Sequence, residues 1–497
     1  MKVISDQYQH HLEWEFIDFP IEITNLKFEN GLYDLRKDCV IKVWRDVEYN
    51  LKATISGIAD SPDSIKIKSQ EVVGDFIPNE IITGEGVEKL YSYELKGCVI
   101  GGFTSSYLSI EKNQIKFEAQ LLVDTVHRTF FQKLETAIVF EWFLASKLSA
   151  NFPRRTTRAL EKKYKKIREE IDPETKSNTV KSFGGGNDFI LIDTPNIKCI
   201  AAKVPQHFGP NWADKICIEY RTEFGELPPT STREAVHELL SFILGCQLLY
   251  IGSTEIAKSN QMASQTIKNP WSNNKIEKCS LPAMPPVKLD DYKDYWRLEY
   301  LMTELVPFYM SQREILKFKD ALWKFWIAKD SPVGSNLPIL SSAVESLAAL
   351  YLSNHPELKK YYIEPEEYQK LIADEITSLM NNLRDQPFKD IIINKLKGAC
   401  MRGPNEKIEL FFKSIELPIS SVEKKAMKAR NKMAHSSIDS VNDDEIKIYI
   451  KLTHAYETLF HRIFLRLMNY NGNYIDYFSN GHPNRKIEEV IGGSEKQ

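Results

Sequence analysis

The chain has little cysteine, and none of it is paired in sequence. Seven cysteines, at 39, 98, 199, 217, 246, 279 and 400, are scattered through 497 residues with no C-x-x-C spacing. An odd, scattered set argues for a reducing cytoplasm and against a disulfide framework or a zinc site. Long apolar runs are missing as well. The most apolar stretch, Leu239 to Ile251, is interrupted by Ser241, Gly245 and Gln247, is too short to span a bilayer and reads as a buried helix. Met1-Lys2-Val3-Ile4-Ser5-Asp6 lacks the apolar core of a secretory leader. The expected location is therefore cytoplasmic, with no membrane partner. Nor does one sign of charge dominate: the net charge is −3, so any nucleic acid must be met by local patches. Gly184-Gly185-Gly186 is not followed by the Lys-Ser/Thr of a phosphate-binding loop. No cluster of His, Cys and carboxylates has metal-ligand spacing, so neither metal nor cofactor is expected.

The composition, 42% hydrophobic and 27% charged, is that of an ordinary globular chain, long enough for roughly two or three domains. Its first part reads as strands. Ile65–Lys68 and Ile115–Leu121 alternate, Val40–Asp46 and Tyr91–Leu95 are similar in character, and Gly31, Gly57, Gly74, Gly84 and Gly101-Gly102 punctuate them. That pattern predicts a sandwich or barrel. Phe130–Leu148 fits a strand by type and a helix by length. Arg154–Glu170 is basic with helical character; its interleaved Glu161, Glu169 and Glu170 suit a solvated helix better than a phosphate-binding arm. Ile216–Tyr220 reads as a strand, and Thr230–Tyr250 as a helix capped by Ser231 or Thr232. Residues 258–290, rich in Asn, Gln, Ser and Pro, mark the boundary between a β-rich domain at 1–290 and a helical one at 291–497. Beyond it only helical periodicity is evident, over 292–307, 311–328, 338–353, 365–383, 387–399, 404–414, 420–434 and 442–470. The fold class is α+β.

One helical stretch carries chemistry. Ser420 and Glu423 have capping-box spacing, and Val422, Ala426, Ala429 and Met433 form an apolar face. The other faces carry Lys424, Lys425, Lys428, Arg430 and Lys432, with Glu423 the lone acid. The stretch ends in Arg430-Asn431-Lys432-Met433-Ala434-His435, before Ser436-Ser437. Asn431 and His435 share a face at i, i+4. Arg430 and His435 are separated by about 7.5 Å of helix rise. A fixed guanidinium can hold phosphate oxygens and an imidazole can move protons near neutrality, which together suffice for RNA cleavage without a metal. By itself, an Arg and a His at a helix C-terminus also suit plain dipole capping. Two further histidines, His454 and His461, lie seven apart on the last long helix, where a structural role is the commoner one.

Arg430-Asn-x-x-x-His435 resembles the Arg-x4-6-His signature of HEPN domains, helical bundles with this motif before the last long helix. Glu345, in Ser341–Tyr351, is similar to the acidic residue that an earlier helix of those domains carries. The ending Tyr470-Asn-Gly-Asn-Tyr-Ile-Asp-Tyr477 is similar to the close of ApeA-type anti-phage proteins, which join a β-rich domain to a HEPN domain. The resemblance implies a ribonuclease of abortive infection, acting on tRNA or other structured RNA. It assigns catalysis to Arg430, His435 and Asn431, with Glu345 in support, and implies a homodimer or higher oligomer through the helical domain. It also implies a β-rich domain that senses a phage-derived trigger. The basic run, Lys424, Lys425, Lys428 and Lys432, would hold RNA. The alternative is a helical module that binds RNA or nucleotide and dimerises without cutting, while the β-rich domain binds a phage or host ligand.

Overall fold

The computed structural model describes residues 20–29, 33–34, 39–59, 66–67, 80–109, 114–150, 152, 157–160, 165–168, 189–204, 209–259, 261–271, 283–290, 294–358, 361–435 and 443–493. Backbone alone is described at 33–34, 59, 66–67, 80, 100, 108–109, 157–160, 165–168, 431–435 and 443. Met1–Asp6, Gly184–Gly186, Cys279, Ser436-Ser437 and Asn442 fall outside this set. The chain forms two compact units: Met1–Met284 with Leu289–Glu304, and Pro285–Lys288 with Leu305–Gln497.

In the first unit, six antiparallel strands close into a barrel: Ile21–Phe28, Val40–Arg45, Leu51–Ala59, Gln114–Leu122, Tyr91–Ser109 and Glu80–Gly86, in that order round the ring. The alternation at 114–122 does what period two demands, with Ile115, Phe117, Ala119 and Leu121 inside. Tyr91–Ser109 is shared. Its start, Tyr91 to Lys96, pairs with Thr125–Phe130, and its remainder, Val99 to Ser109, pairs with Gln114–Leu122. Gly97 makes the switch at φ +67, where an added Cβ would stand 2.5 Å from the Asp124 side chain. From Thr125–Phe130 the sheet runs on through Met262–Lys268, Leu249–Ala257, Thr136–Ala145, Asp214–Arg221, Lys198–Lys203 and Phe189–Asp193. The expected sandwich or barrel is thus a barrel with an open sheet grown from one of its strands. At the sheet's edge the Leu191 amide donates to the Glu299 carboxylate at 2.7 Å, which blunts the edge.

Thr136–Ala145 resolves the ambiguity over 130–148. It is buried on both faces and so shows no alternation. Ile138, Phe140, Trp142 and Leu144 join the barrel-side core. The other face meets helix α1 (Thr230–Leu244), through Phe143 against His237 and a Glu141–Arg233 ion pair of 2.8 Å. Several expectations for this unit are corrected. Helix α1 follows Pro229 rather than a Ser or Thr cap, and Gly245, left-handed at φ 71, ends it, so Leu249–Ile251 is strand and not helix. The basic segment 154–168 contains an antiparallel pair, Thr157–Leu160 with Lys165–Arg168, whose register sets each cation opposite an uncharged residue. Met262–Lys268 is a strand inside the stretch read as linker.

The helices beyond the boundary are α2 (Arg297–Gln312), α3 (Phe318–Asp330), α4 (Asn336–Asn354), α5 (Pro365–Leu371), α6 (Ala373–Asn382), α7 (Lys389–Lys397), α8 (Pro404–Ser414), α9 (Ser421–His435) and α10 (Asp443–Leu467). Each expected helix has its counterpart, except that 365–383 breaks at Ile372 into two. In the second unit α3, α4, α8, α9 and α10 pack together, with an aromatic core of Tyr309, Phe318, Phe325, Phe460 and Phe464. By contrast α5 and α6 bury nothing fully. Helix α10 shows no single core face over its later turns: every residue from Ala455 to Leu465 is buried. The all-helical expectation also misses a hairpin, Asn473–Ile475 with Asn484–Lys486. Its strands are too short for periodicity. Fully buried Asp476 holds the loop by accepting from the Ser479 hydroxyl, the Arg485 guanidinium and the Gly492 amide. Among the described residues no helix is long and apolar enough to cross a membrane.

Burial, with Lys329 a lesser cause, pushes the His461 imidazole down to about 3. In the unfolded chain it takes its proton near pH 6.5. The stability that neutral His461 contributes is therefore complete above about pH 6.5 and falls as pH drops from there toward 3. Urea midpoints measured against pH should decline over this range, and His461→Phe should flatten the decline. An unaltered slope would show that other groups set the acid limb.

Candidate active site

Helix α9 begins as its sequence requires. The Ser420 amide donates to Glu423 Oε2 at 2.6 Å, and the Glu423 amide donates to Ser420 Oγ at 3.3 Å, a reciprocal capping box. Lys424, Lys425 and Lys428 are exposed and Ala426 is buried. Glu423 departs from the reading of the charged faces. It is fully buried and ion-paired with Arg462 of α10, itself 0% exposed. Arg462 also donates to the carbonyls of Pro418 (3.1 Å) and Ile487 (3.0 Å), and its guanidinium lies over the Tyr474 ring. Burial raises the Glu423 carboxyl, while Arg462 and the Ser420 groups pull it back. The start of α9 is thereby tied to α10 and to the C-terminal hairpin.

Toward the other end of α9, Arg430 turns into the bundle. Its Nη1 meets the Glu345 carboxylate and the Ser341 hydroxyl of α4. Ser341 in turn donates to Glu345 at 3.0 Å. Tyr456 of α10, buried, completes the group: burial raises its phenol, and hydrogen bonds with Ser341 and Arg430 lower it. The contacts of Arg430 with Glu345 and Ser341 converge on Nη1, and Tyr456 makes a further hydrogen bond with the guanidinium. The Arg430 side chain is 18% exposed and that of Glu345 42%. The site is shallow, with the cation recessed and the acid at its rim.

The structure thus brings Arg430 and Glu345 together. Asn431, Lys432 and His435 belong to the α9 backbone, but their side chains lie outside the described residues. Of the other histidines, His461 is in the core between Phe325 and Tyr477 and cannot carry protons near neutrality. His454 is half-exposed beside Glu457. Sequence reasoning missed Ser341, Tyr456 and Arg462. Ser341 had a signal, since it stands one helical turn before Glu345 on the same face. Tyr456 reads as core by spacing, and its hydroxyl gives no periodic sign. Among the described residues no group of three or more His, Cys, Asp or Glu could hold a metal ion.

Removing one partner of the Glu423–Arg462 pair leaves a buried charge uncompensated. Glu423→Gln should cost about 3–5 kcal/mol in chemical denaturation. The double variant Glu423→Leu with Arg462→Met should recover much of that loss. A double variant as unstable as the single one would show that the carbonyl contacts of Arg462, and not the pair, dominate.

No protein-family model, curated protein or solved structure matches the chain, so what it does has to be argued from Arg430 and its neighbours.

Proposed function

We propose that this chain is a metal-independent endoribonuclease of the HEPN type, acting in anti-phage defence. The observation that carries the reading is the seating of Arg430: a guanidinium recessed near the end of a basic helix, gripped at Nη1 by Glu345 and Ser341. A cation that served only to cap a helix end would have no need of a carboxylate, a hydroxyl and a phenol from two other helices. The exposed Lys424, Lys425 and Lys428 on the same helix add positive charge for a few phosphate contacts.

In this reading the ribose 2′-hydroxyl attacks the adjacent phosphorus, and the bond to the 5′-oxygen breaks. A cyclic phosphate and a free 5′-hydroxyl result. His435 moves the protons: it takes one from the 2′-hydroxyl or gives one to the departing oxygen. One imidazole does not serve both ends at once, which favours a homodimer with facing motifs. Arg430 stabilises charge on the five-coordinate phosphorus, an electrostatic contribution that exists before reaction because the side chain is already fixed. Asn431 orients His435 or holds a phosphate oxygen. Glu345, Ser341 and Tyr456 aim Arg430. The lysines read backbone and not bases, so RNA shape, as in an exposed tRNA loop, sets the target. The β-rich unit is then the sensor of a phage-derived trigger.

Arg430→Ala and His435→Ala should each lower cleavage by about 10²-fold or more, with folding intact and EDTA without effect. End-labelling of RNA should show 5′-hydroxyl termini with wild type alone. Equal cleavage by wild type and both variants would rule this function out and favour a non-cleaving RNA-binding module. Glu345→Gln should lower kcat by about tenfold with little change in KM, because it loosens the aim of Arg430 without touching the substrate. An unchanged kcat would remove Glu345 from the site.

A further inference from the structure

Apart from the Arg430 group, the last turns of four helices of the second unit line one cavity. α2 ends at Gln312, α4 at Asn354, α8 at Ser414 and α10 at Leu467. The cavity measures about 300 Å³, and its wall includes Gln312, Tyr351, His355, Glu416, Arg466 and Asn469. It starts six residues along α4 from Glu345, at Tyr351, and ten along α10 from Tyr456, at Arg466, about 9 and about 15 Å of helix rise. Glu416 and Asn469 adopt left-handed φ values of 53° and 60°. Each stands just past the end of a helix, α8 or α10, where a left-handed residue is a usual stop.

Three features select the ligand. Helix C-termini carry partial negative charge, so four of them disfavour a phosphate or carboxylate. Arg466 already answers that field: its Nε donates to the Ile415 carbonyl at 2.9 Å, its Nη2 to the Glu416 carboxylate at 2.9 Å, and Nη1 to the Asn471 side chain. Guanidinium and carboxylate cancel, so the cavity does not call for a cation either. The third feature is a rigid aromatic plate. The Tyr351 and His355 rings stack with centroids 4.0 Å apart, and His355 Nδ1 is held by the Tyr351 carbonyl at 2.8 Å.

We propose that this cavity binds a neutral, planar heteroaromatic ring with hydrogen-bond donors and an acceptor on adjoining edges, the chemistry of a guanine base. The Glu416 carboxylate, held by Arg466 through Oε2 and 80% exposed, presents Oε1 to the ring N–H or exocyclic amine. The Gln312 amide donates to the ring carbonyl. The base lies against the Tyr351–His355 plate, as bases do on aromatic side chains. The ring arrives either within RNA or as a free nucleoside, and the site does not depend on the endonuclease reading.

Calorimetry and ligand-observed NMR on the full chain, with guanosine, guanosine 5′-monophosphate, adenosine, cytidine and a short guanine-containing single-stranded oligonucleotide, test this. Guanosine should bind at least tenfold more tightly than adenosine or cytidine, and more tightly than its monophosphate. Glu416→Gln and His355→Ala, both changes at the wall, should each weaken guanosine binding tenfold with an unchanged thermal midpoint. Oligonucleotide binding lost in Glu416→Gln would identify RNA as the source; binding of the nucleoside alone would identify a free ligand. No guanosine binding at millimolar concentration, equal binding of all three nucleosides, or binding untouched by both substitutions would overturn the proposal.

Discussion

A guanidinium with no access to water is the constraint around which the helical unit is arranged. Arg462 sits in the C-terminal half of α10, 0% exposed, and a charge in that position is tolerable only if its surroundings supply what water would have supplied. They do so from three separate parts of the chain: Glu423 from the first turn of α9, the Pro418 carbonyl before it, and the Ile487 carbonyl from the C-terminal hairpin. None of these can move far without stranding the charge. The entry of α9 and the return of the hairpin are fixed by the same residue, and α9 delivers Arg430 to α4 as a consequence. The motif at one end of the helix thus depends on a contact at the other.

The Arg430 group repeats the scheme at the surface. There a cation is again held by an acid and a hydroxyl, but its side chain is 18% exposed. The two arginines differ in burial and not in chemistry. In the deeper one both terminal nitrogens are used by the chain and no part of the side chain reaches solvent, which makes it structural. The shallower one is partly open to solvent.

How much of this could be read from residues alone varies with periodicity. The strand at 114–122 and helices such as α4 and α8 declare themselves, because each hides one face and shows the other. Where an element hides both faces the signal disappears, as at 136–145 and along α10 from Ala455, and apolar content then fails to separate strand from helix. Short elements fail for the opposite reason: three residues on either side of the 476–483 loop do not make a period. Of the candidate site, Arg430 and Glu345 were singled out by the resemblance of the motif and of the helix at 341–351, and their contact is visible only in the fold. Glu423 was legible as a cap and illegible as half of an ion pair, since its partner lies 39 positions away. Ser341 and Tyr456 resemble ordinary core-lining residues until the fold sets them beside a charge.

The strand Tyr91–Ser109 belongs to a closed ring and to an open sheet at once. Side chains along a strand alternate between faces, so inserting or deleting a single residue inverts every position beyond it. In most strands such a change disturbs one layer. Here the residues before Gly97 pair with a barrel strand on one edge and with the open sheet on the other, while those after it pair with Gln114–Leu122, so one inserted codon would set the two halves out of phase with each other. Among variants of this chain, length changes should gather in the connections of the β-rich unit and be absent from 91–109, even where single substitutions on its outer face are tolerated.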